Sequence, residues 1–299
     1  MNWRAILRSS RPSFLILTPI CVWLGVSAQL AQGHQPSSLA VLLVLLGAIS
    51  AHISVNTFNE YFDFRSGLDL LTAKTPFSGG SGSLPEAPTA SNQVLGTAVV
   101  ALLITVSIGV YFSIQVGPAI LPLGLAGVIL VVAYTQWVNR HPWLCLIAPG
   151  TGFGILMVAG TQLALGGTLT ATGWTVALLP FLLTNNLLLL NQYPDIDADI
   201  RVGRRHFPIS YGISAGNRAY LVFLSLAGIL VIGATAAGWL PLLALMALLP
   251  LPLAIFAWHG ANRHRAEIAH YPKYLAANVI VALLSPALLA LGLNLGNLN

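Results

Sequence analysis

Residues 38–69 read SLAVLLVLLGAISAHISVNTFNEYFDFRSGLD, a long apolar run that ends in a cluster of amides and carboxylates. An α-helix needs about 20 mostly apolar residues to cross the hydrocarbon core of a membrane. Residues 38–58 contain no Asp, Glu, Lys or Arg. The stretch therefore predicts a membrane-spanning helix that carries polar side chains at one end.

The composition of the whole chain agrees with a membrane protein. Of its 299 residues, 56% are hydrophobic and only 7% are charged, whereas soluble domains carry about 25% charged residues. This charge is too sparse to cover a water-facing surface, so a soluble enzyme, a disordered protein and a nucleic-acid binder are excluded despite the net charge of +5. Because Cys21 and Cys145 both lie in apolar stretches, neither a disulfide framework nor a cysteine zinc site is expected.

Nine apolar stretches are long enough to cross a membrane. We therefore predict an all-α polytopic membrane protein, with nine transmembrane helices in a bundle around a cytoplasm-facing cavity. We expect one domain over residues 1–299. The predicted spans are 13–32, 38–58, 93–114, 118–137, 144–165, 173–193, 217–237, 239–258 and 275–295.

The charged residues lie on one side of this arrangement. All 13 Lys and Arg and all 8 Asp and Glu fall before span one, in the connections after spans two, four, six and eight or, for Arg218, at the start of span seven. Because Lys and Arg are enriched on the cytoplasmic side, we expect a cell-membrane protein whose N-terminus and motif loops, about 59–92 and 194–216, are cytoplasmic. The C-terminus is then outside. Since Asp and Glu contribute little to orientation, the clustering of the acids needs a chemical explanation.

The first acidic cluster closes span two. Four of its polar side chains are separated by four, three and four positions: His52, Asn56, Asn59 and Asp63. This spacing predicts one face of a helix, and polar residues along one stripe of a membrane helix face the bundle interior or a water-filled cavity. We expect the helix to break at Gly67, before Asp69.

The second acidic cluster, NQYPDIDAD at residues 191–199, closes span six. Asn191, Asp195 and Asp199 are four apart and share a helical face, at which Pro194 introduces a kink. Facing carboxylates repel unless a cation stands between them, and all-oxygen ligands suit Mg²⁺, which retains waters and substrate phosphates in its shell. Basic residues stand nearby, so the combination indicates a diphosphate site. These residues are Arg65, Lys74, Arg204 and Arg205.

Other polar motifs point elsewhere or are incomplete. Residues 195–199 match the Asp-x-Asp-x-Asp start of an EF-hand calcium loop, but Ile200 replaces the glycine that such a loop requires next. The run GGSG at residues 79–82 lacks the Lys-Ser/Thr ending of a P-loop and predicts a tight turn. Asn185 and Asn186 lie deep in span six, where an unpaired amide is costly, so we expect hydrogen bonds between helices.

Together the two clusters resemble the aspartate motifs of the UbiA superfamily of intramembrane prenyltransferases. Residues 59–69 are similar to its first motif, commonly Asn-Asp-x-x-Asp, and residues 191–199 are similar to its second. Glu60 stands where Asp is more usual, one position off the face of Asn59 and Asp63, so we expect little consequence. The first motif followed by residues 75–82 is most similar to the 1,4-dihydroxy-2-naphthoate prenyltransferases of the menaquinone branch.

The resemblance implies Mg²⁺-dependent transfer of a prenyl group from a prenyl diphosphate to an aromatic acceptor. The acceptor would be 1,4-dihydroxy-2-naphthoate or a related quinone precursor, alkylated by an allylic cation. The catalytic residues implied are Asp63, Asp69, Asp195 and Asp199. Two Mg²⁺ ions would be bound by Asp63, Asp195 and Asp199, supported by Asn59 and Asn191. Diphosphate contacts are implied for Lys74, Arg204, Arg11, Tyr134 and Arg65.

Two alternatives remain open. A membrane terpene cyclase on the same scaffold would use the same ionisation, with the substrate's own double bonds attacking the cation. An ion-coupled transporter would place its site near the bilayer midplane between two related halves, whereas the acids here are confined to one boundary. The expected partners are the two substrates and membrane lipid. Neither nucleic acid nor an obligatory protein partner is indicated.

Overall fold

The computed structural model describes residues 2–72, 74–75 and 77–296, so Ala73 and Pro76 of the first predicted motif loop lie outside it. Every regular element in the described residues is a helix. Eight helices are long and apolar enough to cross a membrane, and a ninth apolar helix, α4, is shorter. The chain is therefore a multi-pass membrane protein. In chain order the nine are α1 (Pro12–Ala31), α2 (Ser38–Ser66), α3 (Pro88–Val116), α4 (Pro118–Ala133), α5 (Pro142–Ala164), α6 (Ala171–Asn191), α7 (Ile213–Ala236), α8 (Leu242–His270) and α9 (Pro272–Gly296).

The short helix α4 corresponds to the fourth predicted span. At 1.5 Å per residue it is about 24 Å long, less than the roughly 30 Å of a hydrocarbon core. Near its start, Ile120 packs against the cluster that contains Val44 and Ala164. Just beyond its end, the Thr135 hydroxyl accepts a hydrogen bond of 3.2 Å from Asn59 Nδ2. The path of α4 therefore follows α2 from the level of Val44 to the level of Asn59.

The bundle is organised around α6, the most buried of the long helices, which packs against α1, α5, α7 and α9. Its contact with α5 is close because two glycines, four positions apart, face it. A Cβ at Gly150 would lie 2.1 Å from the Phe181 carbonyl oxygen, and one at Gly154 would lie 2.4 Å from that of Ala177. Small residues at this spacing let membrane helices approach backbone to backbone.

The amides in the middle of α6 make the hydrogen bonds between helices that the sequence predicts. Asn185 Oδ1 accepts from the Gly150 N–H at 2.6 Å, just before a π-helical stretch in α5, Thr151–Ala159. Asn186 Nδ2 donates to the Tyr220 carbonyl oxygen of α7 at 3.0 Å. Both amides therefore serve to connect helices.

A second set of buried polar groups connects α6 and α7 to α9. The Tyr220 hydroxyl donates to Asn278 Oδ1 at 2.8 Å, and Asn278 Nδ2 donates to the Asn186 carbonyl oxygen at 3.0 Å. All three side chains are buried. Since water is scarce inside a membrane bundle, such paired groups hold the three helices in one register.

Candidate active site

A cavity of about 1090 Å³ lies among helices α1 to α6, with a small contribution from α9. Its wall is apolar over most of its length and polar at one end. The wall includes α2 residues from Val44 to Asp63, a distance of about 28 Å along a helix. The polar and charged residues at that end are Arg11, Asn59, Asp63, Asp69, Asn191, Asp195, Asp199, Arg204 and His206.

The first aspartate segment has the predicted form. The helix α2 continues to Ser66, and the four residues predicted to share a face, His52 to Asp63, all line the cavity. Gly67 ends the helix at φ 80°, a left-handed conformation that favours glycine. Asp69 follows in a 3₁₀ turn, Leu68–Leu70, and lines the same cavity.

The second segment differs from the single kinked helix that we expected. The helix α6 ends at Asn191, and a separate short helix, Ile196–Arg201, begins after Asp195. Pro194 lies in the turn between them, where its missing N–H and its restriction on the preceding residue disfavour a continuous helix. Asn191, Asp195 and Asp199 nevertheless all line the cavity.

A guanidinium group lies between the two aspartate segments. Arg204 donates to Asp63 Oδ1 and, at 2.9 Å, to Asp199 Oδ1, while His206 Nε2 donates to Asp199 Oδ2 at 3.0 Å. Burial opposes the charge of Arg204, but the carboxylates of Asp63 and Asp199 more than offset it and raise the pKa of the guanidinium. The sequence led us to expect a cation between these facing carboxylates. In this structure the guanidinium of Arg204 takes that position.

The other two aspartates have fewer partners. Asp195 Oδ2 accepts from the Gly79 N–H at 3.2 Å, and Asp69 Oδ2 is buried without a hydrogen-bond partner among the described residues. Burial raises the pKa of Asp195 to about 7, with Asp199 adding to the shift. Burial likewise raises the pKa of Asp69 to about 8, with Glu60 and Asp63 adding. This end of the cavity is therefore short of positive charge.

Glu60 makes buried contacts that its place in the sequence did not predict. Its side chain is fully buried, and it accepts hydrogen bonds from Arg11 Nη2 at 3.0 Å and from the Ser81 N–H at 3.0 Å. Arg11, held at φ 50°, also donates to Asn59 Oδ1 at 3.1 Å. Burial opposes the charge of Arg11, but Glu60, with smaller help from other carboxylates, raises its pKa. These partners are 49 and 21 positions from Glu60, so no local spacing indicates them.

The sequence pattern of the UbiA prenyltransferase family matches residues 18–279 of this chain. The chain belongs to the UbiA prenyltransferase family. The resemblance stated above is confirmed, and the protein is an enzyme, a prenyltransferase.

One curated relative of this prenyltransferase is the 1,4-dihydroxy-2-naphthoate octaprenyltransferase of Haemophilus influenzae. It is 25% identical over 300 residues, which cover 96% of this chain and 95% of the relative. Among solved structures, a UbiA homolog from Archaeoglobus fulgidus bound to GPP and Mg²⁺ superposes with a TM-score of 0.69 at 14% identity, covering 97% of this chain and 99% of the homolog. A digeranylgeranylglyceryl phosphate synthase gives 0.67 at 17% identity, covering 98% of both chains. These structures share its fold.

The donor set of the prenyltransferase is suited to a hard divalent cation. Asn191 Oδ1 and Asp69 Oδ2 are buried oxygens without partners in the described residues, and the neighbouring ligands are carboxylates. Within those residues, no three His, Cys, Asp or Glu side chains come close enough to hold a metal ion by themselves. Mg²⁺ is commonly bound by one or two carboxylates together with substrate phosphates. The residues therefore fit an ion whose remaining ligands come from a diphosphate.

Three of the residues predicted to contact the diphosphate lie in different places relative to the cavity. Tyr134 lines the cavity, and burial raises the pKa of its hydroxyl, so that it stays a neutral donor. Lys74 and Arg65 are exposed and do not line the cavity. Lys74 packs beside Gly82, where an added Cβ would be 3.3 Å from Nζ. The structure therefore brings Tyr134 to the cavity, while contact of Lys74 and Arg65 with a diphosphate stays a prediction.

Proposed function

We propose that this prenyltransferase transfers a prenyl group from a prenyl diphosphate to an aromatic acceptor in a Mg²⁺-dependent reaction. The observation that carries the proposal is the convergence of both aspartate segments at one end of a long apolar cavity. The polar end suits a diphosphate, and the apolar wall suits an isoprenoid chain. The relative from Haemophilus influenzae supports 1,4-dihydroxy-2-naphthoate, or a related quinone precursor, as the acceptor.

The chain's own cations stabilise the leaving group. The allylic C–O bond breaks with its electron pair passing to the diphosphate, so negative charge develops beside Arg204 and Arg11. At 4 Å, two unit charges attract by about 4 kcal/mol at an effective dielectric of 20, against about 1 kcal/mol in water. Cations held in place before the reaction favour this charge separation without reorganisation. Asp63 and Asp199 hold Arg204, while Glu60 and Asn59 hold Arg11.

Bound Mg²⁺ would supply Lewis-acid stabilisation of the leaving diphosphate. By the family resemblance, two ions would be held by Asp63, Asp195 and Asp199, with Asn59 and Asn191 in support and Asp69 as a further or water-mediated ligand. Burial, and secondarily the neighbouring carboxylates, raise the pKa values of Asp195 and Asp69, so divalent cations beside them would favour their ionised forms.

The apolar wall protects the allylic cation from water until the acceptor attacks. Phe153, whose ring packs edge-on against His52 at 4.9 Å, lines the cavity below the aspartates. An electron-rich ring carbon then forms the new C–C bond, and the ring regains aromaticity by releasing the group that this carbon carried. Asp69 Oδ2, which has no hydrogen-bond partner among the described residues, is the candidate to orient the acceptor or to accept a proton from it.

We further propose nine crossings, with α4 as the fourth, and the N-terminus and both motif loops in the cytoplasm. The path of α4 beside α2 supports a crossing, because Val44 and Asn59 are about 22 Å apart along α2. Reporter fusions at the two termini should label the N-terminus on the cytoplasmic side and the C-terminus outside. Labelling of both termini on the same side would contradict nine crossings.

Product mass spectrometry tests the proposed reaction. Purified protein is given a panel of prenyl diphosphates with and without candidate aromatic acids, and we expect a prenylated aromatic product only when both substrates are present. Excess chelator should stop the reaction and Mg²⁺ should restore it. A cyclic hydrocarbon formed without an acceptor would identify a terpene cyclase. Unaltered prenyl diphosphate, together with solute uptake into liposomes, would identify a transporter.

A further inference from the structure

We propose that Glu60 is a positioning residue. Its buried carboxylate holds the glycine loop, residues 79–82, against the aspartates of both motifs, and it does not bind a metal ion. The inference rests on the proposed function, because the aspartates are those of the proposed diphosphate site. It is carried by the hydrogen bonds that join Glu60 to the loop and the loop to Asp69 and Asp195.

Glu60 already uses both of its oxygens. Oε1 accepts from the Ser81 N–H at 3.0 Å and from the Ser81 hydroxyl, while Oε2 accepts from Arg11 Nη2 at 3.0 Å and from Arg11 Nε at 3.3 Å. A carboxylate has about four acceptor positions, so these four donors fill them. A buried carboxylate satisfied in this way has no free position for a metal ion.

The glycine loop needs such an external contact. Gly79, Gly80 and Gly82 have φ values of 77°, 71° and 65°, which place most of the loop in the left-handed region. Glycine adopts this region readily, but it also loses the most conformational freedom when ordered. Ser81 is the only loop residue with a side chain, and it is the residue that Glu60 binds. Glu60 therefore compensates for the ordering of the loop.

The glycine loop in turn contacts one aspartate of each motif. The Gly79 N–H donates to Asp195 Oδ2 at 3.2 Å. Gly80 lies against Asp69, because an added Cβ would be 2.8 Å from Asp69 Oδ1.

Ser81 also contacts Arg8 and Ser83. Without Glu60 it would keep those contacts but lose its bonds to the buried carboxylate, so we expect the loop to loosen from both aspartates. The loop is thus one link between Glu60 and the proposed diphosphate site, and Arg11 is a second.

The expected kinetic effect is on substrate affinity. When only a fraction of molecules has a binding-competent conformation, the apparent dissociation constant rises in inverse proportion to that fraction. If a variant lowers the closed fraction of the loop tenfold, KM for the prenyl diphosphate rises about tenfold. The rate at saturation changes little, because bound substrate restores the closed loop.

The test compares Glu60→Gln and Ser81→Ala with a matched control, Thr57→Val, in the full-length protein. Glu60→Gln keeps the shape of the side chain but removes its charge. Thr57 is equally buried, one turn earlier in α2, and its hydroxyl bonds only to carbonyls of its own helix. The measurements are KM for the prenyl diphosphate, kcat, the Mg²⁺ midpoint and hydrogen exchange of residues 77–86 without substrate.

We expect Glu60→Gln to raise KM about tenfold, to keep the Mg²⁺ midpoint within about twofold and to speed exchange in residues 77–86. Because Glu60→Gln also removes the carboxylate partner of Arg11, kcat should fall as well, whereas Ser81→Ala leaves that pair intact and should keep kcat within about twofold. Ser81→Ala keeps its N–H donor, so its effect on KM and exchange should be smaller in the same direction. The double variant should show less than the summed effect, because both changes break one contact. Thr57→Val should leave all four measurements unchanged.

A collapse of kcat with a shifted Mg²⁺ midpoint and unchanged exchange would make Glu60 a metal ligand and overturn the proposal. Unchanged KM and exchange in folded Glu60→Gln would also overturn it. If Glu60→Gln does not fold, unchanged exchange in Ser81→Ala is the overturning result. If the wild type transfers no prenyl group, the proposed function is refuted. The role of Glu60 is still decided in that case, because hydrogen exchange is measured without substrate.

Discussion

Buried polar side chains have different roles in two regions of this prenyltransferase. Between α6, α7 and α9, buried polar groups pair with one another across the helices. The Tyr220 hydroxyl donates to Asn278 Oδ1, and Asn278 Nδ2 donates to the Asn186 carbonyl oxygen. At the charged end of the cavity, Asn191 Oδ1 and Asp69 Oδ2 are buried without partners in the described residues. Unpaired buried polar atoms are costly. The first region uses most of its polar atoms for packing, although Asn186 Oδ1 there also lacks a partner in the described residues. The second region has its unpaired oxygens on the wall of a cavity, where a ligand can reach them.

The largest expected effect of this difference is at the aspartates. Asp63→Ala or Asp195→Ala should lower diphosphate release by about 100- to 1000-fold, because loss of one preorganised charge-stabilising group has effects of that size. Asp195→Ala should leave the melting temperature close to that of the wild type. Asp63→Ala removes one of the two carboxylates paired with the partly buried Arg204, so it should lower the melting temperature while the protein stays folded. Glu267→Ala, which removes an exposed acid outside the cavity, is the control with normal turnover. Retained turnover in both aspartate variants would refute the site assignment.

A smaller effect on activity is expected at Gly80. Gly80 and Gly33 have φ values of 71° and 81°, so an alanine at either position costs about 1–2 kcal/mol of backbone strain. Only at Gly80 would the new Cβ meet a functional group, Asp69 Oδ1 at 2.8 Å, whereas Gly33 has nothing within 4 Å. We expect Gly80→Ala to lower kcat/KM by about 10- to 100-fold, as displacements of about 1 Å do.

Gly33→Ala should keep normal kinetics with a similar loss of thermal stability. Equal kcat/KM in the two alanine variants would show that the glycine loop need not approach Asp69 so closely.

The smallest effect is expected at the paired polar side chains between α6, α7 and α9, and it concerns stability alone. Asn278→Ala removes the donor to the Asn186 carbonyl oxygen. It also removes the nearer acceptor of the Tyr220 hydroxyl, which keeps the Ala254 carbonyl oxygen as an acceptor at 3.2 Å. The free energy of unfolding should therefore fall by about 1–2 kcal/mol. Tyr220→Phe removes one hydroxyl and should cost about 0.6 kcal/mol. Thermal unfolding in detergent measures both values. If either variant changed KM for the prenyl diphosphate while the folded fraction stayed the same, these groups would also act on substrate binding. The two regions would then not differ in role.

The helices were predictable because hydropathy is a local property. The second apolar span was expected to end near residue 58 and its helix to break at Gly67, and α2 does continue to Ser66, since a helix can extend past the apolar run that reveals it. The eighth span was expected over 239–258, and α8 covers Leu242–His270 for the same reason. Spacing along one helix also predicted the shared face of His52 and Asp63.

The arrangement at the charged end was less predictable. Spacing placed Asn191, Asp195 and Asp199 on one helix, but the turn at Pro194 separates them. The Glu60 side chain was expected to have little consequence, because its position relative to Asn59 and Asp63 says nothing about a loop 21 residues further along the chain.

By itself, the sequence determined that the protein crosses a membrane many times and carries two acidic segments of the UbiA type, because hydropathy, motif spacing and composition are written along the chain. Only the tertiary structure decided which groups meet. Arg204 and Asp63 are 141 positions apart, and helix packing alone brings the guanidinium between the two segments. The same packing buries Glu60 beneath the glycine loop. Side-chain partners across a bundle depend on how helices rotate and approach one another, and no short stretch of sequence specifies that geometry.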